Sequence, residues 1–346
     1  MKEKKLNIEV IRIVAIMSTI MIHVSNIYMR SFSKISKLSF FGSTFFNSCA
    51  RICVPLFFMI SGALLINGEY NKKKYFKRIG KFILILAVWS IIYFAINVYR
   101  GGSSNIIKAI CWTFFDTSYT SKHLWFMYAI IGLYIALPFV QTMCKNLTKE
   151  QENLFLILWF VISGLSGVYL PIMRLIGGYS IDIVYPVPLI NGAYYLGYFI
   201  CGHIIYKRIK DIKANKKYNT ICILTYLLLA LFMSVITYIV SVEANKLVTF
   251  MLWYRSIFIV FESISIFVLI IINGDKFKNE NIIKISSLSF GVYLVHAIIL
   301  FLIKDNINII NYPSIIGIPI ITLIIYFSTL LIVYILKKIP VVKELL

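Results

Sequence analysis

Runs of about twenty consecutive, mostly apolar residues recur along nearly the whole chain, and each is long enough to cross a bilayer as a helix. About ten such runs occur, over residues 7–28, 46–66, 80–99, 122–143, 153–170, 186–206, 218–240, 248–273, 285–303 and 314–336. A backbone in hydrocarbon must satisfy its own hydrogen bonds, so these runs read as helices. The predicted fold is an all-α polytopic bundle of about ten transmembrane helices. It is read as one transmembrane domain over residues 1–346, with no soluble extracytoplasmic domain. Composition agrees, with 60% hydrophobic and only 14% charged residues, where a soluble domain carries roughly 25% charged. Disordered, collagen-like and disulfide-stapled classes are excluded on the same grounds. The stretches near 100–120 and 170–186 fit the pattern least well. The first holds Gly101, Gly102 and Cys111 to Phe115 and suits an interfacial or re-entrant piece.

Lys and Arg number 35 against 14 acidic residues, a net charge of +21. In a soluble chain that excess would suggest nucleic acid. Here basic residues belong in cytoplasmic loops facing anionic lipid, and no nucleic-acid partner is expected. With the N-terminus inside, 23 Lys and Arg fall in inner segments, starting with Lys2, Lys4 and Lys5, and 9 in outer ones. That bias puts both termini in the cytoplasm. The first run resembles a signal peptide but lacks a small-residue cleavage site, so it reads as an uncleaved span. The six cysteines are scattered; even Cys49 and Cys53, four apart, fit no metal or disulfide pattern. They read as small buried hydrophobes.

Ionisable groups inside such runs are costly and are functional candidates. On the first run Glu9 and Arg12 are three apart and can pair. Arg12 and His23 are eleven apart, which leaves them about 20° apart in azimuth and about 16 Å apart along a helix. One stripe thus carries an acid, a cation and, toward the outer half, an imidazole, followed by Ser25 and Asn26. Taken singly, Arg12 can snorkel and His23 can bond a neighbouring helix; taken together they read as an inward-facing functional stripe. The second run holds Arg51, then Pro55, Phe57, Phe58, Ser61 and Gly62. Arg51 needs an anion or carbonyl partner, Pro55 suggests a kink, and Ser61-Gly62 also suits a close helix crossing.

The fourth run opens His123-Leu124-Trp125-Phe126, with Tyr134 eleven residues after His123. Trp125 and Tyr134 fit an aromatic belt, whereas His123 at the outer mouth does not. The ninth run carries Ser289, Tyr293 and His296; Arg255 and Glu262 on the eighth are seven apart and read as a structural ion pair. His203 beside Lys207 and Arg208 reads as interfacial. The loop from Asn71 to Lys81 holds six basic residues, among them Lys74, Lys77, Arg78 and Lys81. Topology alone accounts for it; a docking surface for a phosphate-rich cytosolic ligand is the sharper reading.

A buried imidazole in line with an Arg suits proton abstraction from a hydroxyl. Acyl transfer needs such a base and stabilisation of a developing oxyanion. A coenzyme A thioester would bring phosphates to the basic loop and its acyl end into the bundle. Hydrolase-elbow, zinc, phosphate-loop and dinucleotide motifs are lacking, and no metal site is expected.

In their order along the chain these pieces resemble the integral-membrane acyltransferase family 3. They are Arg12 and His23, the segment Ala50 to Gly62, His123 to Tyr134, Tyr195 to Gly202, and Ser286 to His296. The resemblance implies a ten-helix bundle with cytoplasmic termini, an acyl-coenzyme A donor, usually acetyl, and a glycan or lipid-linked acceptor. It implies that His23 is catalytic with Arg12. It associates a basic pair spaced RxxR with the donor, here Arg78-Ile79-Gly80-Lys81, whose Lys keeps the charge but loses the bidentate fork.

The expected activity is a membrane O-acyltransferase in a bacterial-type plasma membrane, with acyl-coenzyme A as co-substrate and no resident cofactor. His23 is the expected base with Arg12. Glu9, Arg51, Ser61, His123, Trp125, Tyr293 and His296 are expected on the substrate side, and Arg78, Lys81, Lys77 and Lys74 at the coenzyme phosphates. The oligomeric state is open, a homo-oligomer included. The rival reading is a transporter or exporter of a glycan intermediate without chemistry, for which the polar stripe would be a permeation path. The absence of two matching Gly/Pro-broken spans weighs against it. A non-catalytic scaffold is the third.

Overall fold

Four helices start at a polar residue whose side-chain oxygen accepts the backbone N–H three positions on: Ser36, Asn71, Thr148 and Asn215. Such caps satisfy donors that the first helical turn leaves unpaired. At Thr148 the cap is reciprocal, since Gln151 also accepts from the Thr148 N–H. A computed structural model describes residues 6–102, 105, 107, 120–169, 172–173, 176–177, 188–209, 212, 215–276 and 279–346. Lys2, Lys4 and Lys5, the Cys111 to Phe115 piece and most of 170–186 lie outside the described residues.

The helices are α1 (Leu6–Arg30), α2 (Lys37–Ala50), α3 (Cys53–Leu65), α4 (Lys72–Tyr99), α5 (Trp125–Asn146), α6 (Lys149–Gly164) and α7 (Pro188–Ile209). They continue as α8 (Lys216–Glu243), α9 (Ile257–Ile272), α10 (Asn281–Ser286), α11 (Ser289–Asn306), α12 (Ser314–Leu336) and α13 (Pro340–Lys343). Among the described residues there are no strands, and nine helical segments are long and apolar enough to cross a membrane. The predicted run 186–206 falls on α7, whose Tyr, Gly and His content makes it less apolar. Its place is interior: Tyr198, Phe199, Ile200 and Cys201 are wholly buried. Cys49, Cys53, Cys144, Cys201 and Cys222 are free and buried.

Two boundaries differ from the sequence reading. The run 46–66 is not one kinked helix. It breaks at Arg51–Ile52, between α2 and α3, and the segment begins at Lys37. Pro55 sits in the first turn of α3, where a missing N–H costs little, so it starts a helix instead of bending one. The basic stretch 72–81 is not a loop. It is the first turns of α4, capped by Asn71.

Helix α1 is the axis of the bundle and packs against α2, α3, α9, α10, α11 and α12. Among the described helices the most extensive packing is α3 against α7. A Cβ on Gly62 would lie 1.7 Å from the Phe199 carbonyl oxygen, and one on Gly202 would lie 2.3 Å from the Met59 Cα. Both backbones touch because both residues lack a side chain, as small residues allow between membrane helices. Helices α4, α8 and α12 turn large apolar side chains such as Ile91, Leu228 and Phe327 outward, the surface a bilayer covers.

Gly62→Ala should therefore destabilise the protein by about 1–3 kcal/mol through overpacking, read as a lowered thermal midpoint in detergent. Gly132→Ala, with nothing within 4 Å of the added carbon, should keep or raise it, because Ala is the better helix former. Equal midpoints for both variants would contradict the crossing.

Candidate functional site

Glu9 precedes Arg12 by three residues, so their side chains meet on α1. Arg12 Nη1 donates to Glu9 Oε1 and Oε2 at 3.0 and 2.9 Å, and the Ser286 hydroxyl of α10 donates to Glu9 Oε2. Glu9 is buried and lines neither of the two cavities that lie along α1; it holds Arg12. Arg12 reaches one cavity, of about 310 Å³, and His23 the other, of about 510 Å³. The stripe on α1 thus serves two chambers.

Three of the four histidines converge at the larger cavity. The His23 ring lies 5.2 Å from His296 and 6.4 Å from His123, and the latter two are 5.1 Å apart, between centroids. His23 and His123 are on the wall; His296 is fully buried behind His23. His296 Nδ1 is 2.7 Å from the Tyr293 carbonyl and 3.2 Å from that of Val292. Carbonyls only accept, so Nδ1 carries the proton and Nε2 keeps its lone pair. His123 Nδ1 is 2.7 Å from the Ser121 hydroxyl, and the Tyr293 hydroxyl donates to the His123 carbonyl at 2.7 Å. Despite this convergence, no group of three or more His, Cys, Asp or Glu among the described residues is arranged to hold a metal ion.

Arg51 enters the same cavity from the α2–α3 break. Its Nε and Nη2 donate to Asn47 Oδ1 at 2.9 and 2.6 Å, and Asn47 Nδ2 donates to Ser25 Oγ of α1 at 2.8 Å. A single amide therefore ties the guanidinium to the helix that bears His23. Trp125, Tyr195 and Tyr254 add an aromatic wall, with Trp125 5.5 Å from Tyr195 and 5.8 Å from Tyr254.

The smaller cavity is lined by Arg12, Ser61, Tyr134, Ser286 and Ser289, among others. The Ser61 hydroxyl is engaged by its own helix, donating to the Phe57 carbonyl at 2.8 Å. Phe57, Phe126 and Tyr293 line both cavities. Their rings follow one another at 5.7 and 5.5 Å and form the partition between the chambers. Arg78 lies over the Tyr134 ring at 5.5 Å, which places it beside the smaller cavity. Lys81 is paired with Glu344 at 3.1 Å, and Lys74 and Lys77 are exposed on the first turns of α4.

Two readings of polar residues are corrected. Arg255 and Glu262 do not pair: residue 255 precedes α9, so the seven-residue rule does not apply, and Arg255 lies over the Trp253 ring at 4.1 Å. Glu262 is fully buried, with no hydrogen bond at either oxygen. His203 is 2% exposed, inside the bundle, not at its surface. Asn47, Ser121, Trp253 and the cavity-lining role of Arg255 escaped the sequence reading. Asn47, four residues before Arg51, was the detectable signal, because that spacing puts an amide beside a guanidinium on a helix.

Glu9→Ala removes the anion from Arg12 and the acceptor from Ser286. The expected loss is about 2–3 kcal/mol for a partly buried pair, against about 1 kcal/mol for Ser286→Ala, which removes one hydrogen bond. Thermal midpoints in detergent check the order, and a larger loss in Ser286→Ala would reverse the assignment of Glu9 as the hub.

The family model described as an acyltransferase domain, acyltransferase family 3, matches residues 5–338. Neither the curated proteins nor the solved structures give a match. A match over nearly the whole sequence, on a helical bundle whose imidazoles and guanidinium share one cavity, identifies the chain as a member of the membrane acyltransferase family 3.

Proposed function

We propose that this acyltransferase moves an acetyl group from acetyl-coenzyme A to a hydroxyl of a cell-surface glycan or its lipid-linked precursor, in a bacterial-type plasma membrane. From its sequence motifs we read the chain as similar to the enterobacterial common antigen O-acetyltransferase, and that reading implies an acetyl donor and a glycan acceptor. The observation that carries the reading is His23 on the wall of the larger cavity, with Arg51 on the same wall and two further imidazoles within 6.4 Å.

With both termini inside, the smaller cavity is the donor side. Arg78 and the lysines of α4 meet the coenzyme phosphates, as cations at a bundle mouth can. Arg12, fixed by Glu9, lines the way inward. The thioester carbonyl comes to the partition of Phe57, Phe126 and Tyr293, and the acceptor hydroxyl approaches from the larger cavity. His23 removes the hydroxyl proton as the oxygen attacks the carbonyl carbon. Negative charge on the carbonyl oxygen falls to the Arg51 guanidinium on the same wall. Collapse breaks the carbon–sulfur bond, the ester remains on the acceptor, and the thiolate leaves with the proton that His23 took from the hydroxyl, which restores the neutral imidazole. His296 packs against the His23 ring at 5.2 Å and helps fix its orientation.

Inside-out membrane vesicles given acetyl-labelled coenzyme A test the reading. Wild type should release free coenzyme A and label a lipid or polymer fraction. His23→Ala should reduce the label about 10²–10⁴-fold at equal expression, the usual range for a lost general base. Wild-type labelling in that variant would refute His23 as the base. Failure of acetyl, succinyl and longer donors alike would return the chain to the transport reading.

A further inference from the structure

Ser121 and His123 stand just before α5, and both are buried, at 7% and 4% exposed. His123 belongs to the wall of the larger cavity. Four rings surround it edge to face: Tyr93 at 4.8 Å, His296 at 5.1 Å, Tyr293 at 5.5 Å and His23 at 6.4 Å between centroids. These contacts hold the plane of the imidazole, and its hydrogen bonds decide which nitrogen carries the proton. Nδ1 lies 2.7 Å from the Ser121 hydroxyl, which has no other hydrogen-bond partner among the described residues. Were Nδ1 the donor, the Ser121 proton and the Nε2 lone pair would both be buried and unmatched. With the hydroxyl donating to Nδ1, one group alone is unmatched, the Nε2–H. Buried polar groups go unpaired only rarely, so the site favours this tautomer. Nε2 makes no hydrogen bond among the described residues. His296 Nε2 makes none either, so the two imidazoles do not satisfy each other.

A buried donor without an acceptor is costly, and folds keep such costs where the donor serves a ligand. In the acyl-transfer reading two oxygens come to this cavity, that of the acceptor hydroxyl and that of the thioester carbonyl. The hydroxyl gives its proton to His23. The carbonyl oxygen gains negative charge as the attack proceeds, so a fixed N–H aimed at it binds the transition state more tightly than the ground state. The position agrees. His123 packs on Tyr293, a ring of the partition where the thioester carbonyl arrives, and the Tyr293 hydroxyl holds the His123 backbone carbonyl. A neutral imidazole can polarise a carbonyl in this way. We propose that His123 is a second catalytic residue, its Nε2–H donating to the thioester carbonyl oxygen alongside Arg51, and that Ser121 is the positioning residue that sets its tautomer. No bond to His123 forms or breaks. Its proton stays on Nε2, and the hydroxyl proton still passes through His23 to the leaving thiolate. The role rests on the acyl-transfer reading above; the tautomer does not.

The test is the initial rate of label transfer from acetyl-coenzyme A in inside-out vesicles carrying the full-length chain, at matched expression and across pH. His123→Phe keeps a flat ring and removes the N–H, whereas His123→Gln returns an N–H within reach of the Nε2 position. His123→Phe should lower kcat about 10²–10³-fold, the range for one lost oxyanion donor, with KM for acetyl-coenzyme A unchanged. His123→Gln should recover part of that loss. Its rate should rise over the same pH range as wild type, because His23 remains the base and an amide N–H does not titrate. Ser121→Ala should lose less than His123→Phe, also in kcat. Wild-type kcat in His123→Phe, a loss confined to KM, or equal losses in the Phe and Gln variants would overturn the proposal. So would a pH limb that vanishes in His123→Gln, since that gives His123 the role of base. Should His123→Phe fail to fold, as its thermal midpoint in detergent would show, Ser121→Ala decides: a lowered kcat at constant KM supports the role, and an unchanged kcat overturns it. Vesicles in which wild type transfers nothing from any acyl donor would overturn the acyl-transfer reading and this role together. Transfer by wild type with His123→Phe unimpaired would overturn this role alone.

Discussion

A guanidinium inside hydrocarbon has to be held, and the bundle is arranged around how Arg51 is held. The chain breaks at that residue, and Asn47, one turn earlier on α2, receives two of its N–H groups while donating to Ser25 on α1. Removing the amide would leave the half-buried guanidinium only the Tyr254 ring, 5.7 Å away, a cost of about 1–3 kcal/mol for the lost charged hydrogen bonds. The same link fixes the register of α2 on α1, and with it the distance between Arg51 and His23. Structure and site therefore share one set of hydrogen bonds.

Helix α1 carries this logic along the bundle. Its early turns hold the Arg12–Glu9–Ser286 link, and its later turns hold His23 and, two residues on, Ser25. Helices α3 and α7, whose backbones touch at Gly62 and Gly202, line the larger cavity with Cys53, Val54, Tyr194 and Tyr195. The helices that face lipid, α4, α8 and α12, contribute less to the centre.

Much of the fold was legible because length and hydropathy alone specify a membrane helix, and among the described residues each run from 7–28 to 314–336 is mostly helical. The Glu9–Arg12 pair was legible because both residues lie on one helix. The break at Arg51 was not, because Pro55 reads equally as a kink and as the start of a helix. Nor was the histidine cluster: azimuth says which residues share a face, not which helices face each other, and His23, His123 and His296 come from three separate runs. Lys81 illustrates the same limit, since its partner Glu344 lies 263 residues away. Arg255 failed for a different reason, as helical spacing was applied to a residue outside the helix.

The three rings between the chambers carry a consequence for the membrane itself. A bilayer that stores energy as an ion gradient cannot tolerate a continuous wet path, and polar residues line both cavities. Phe57, Phe126 and Tyr293 interrupt that path with apolar surface, so protons and ions meet a dielectric barrier where the chambers meet. The partition keeps the polar linings of the two chambers from joining into one wet path along the central helix.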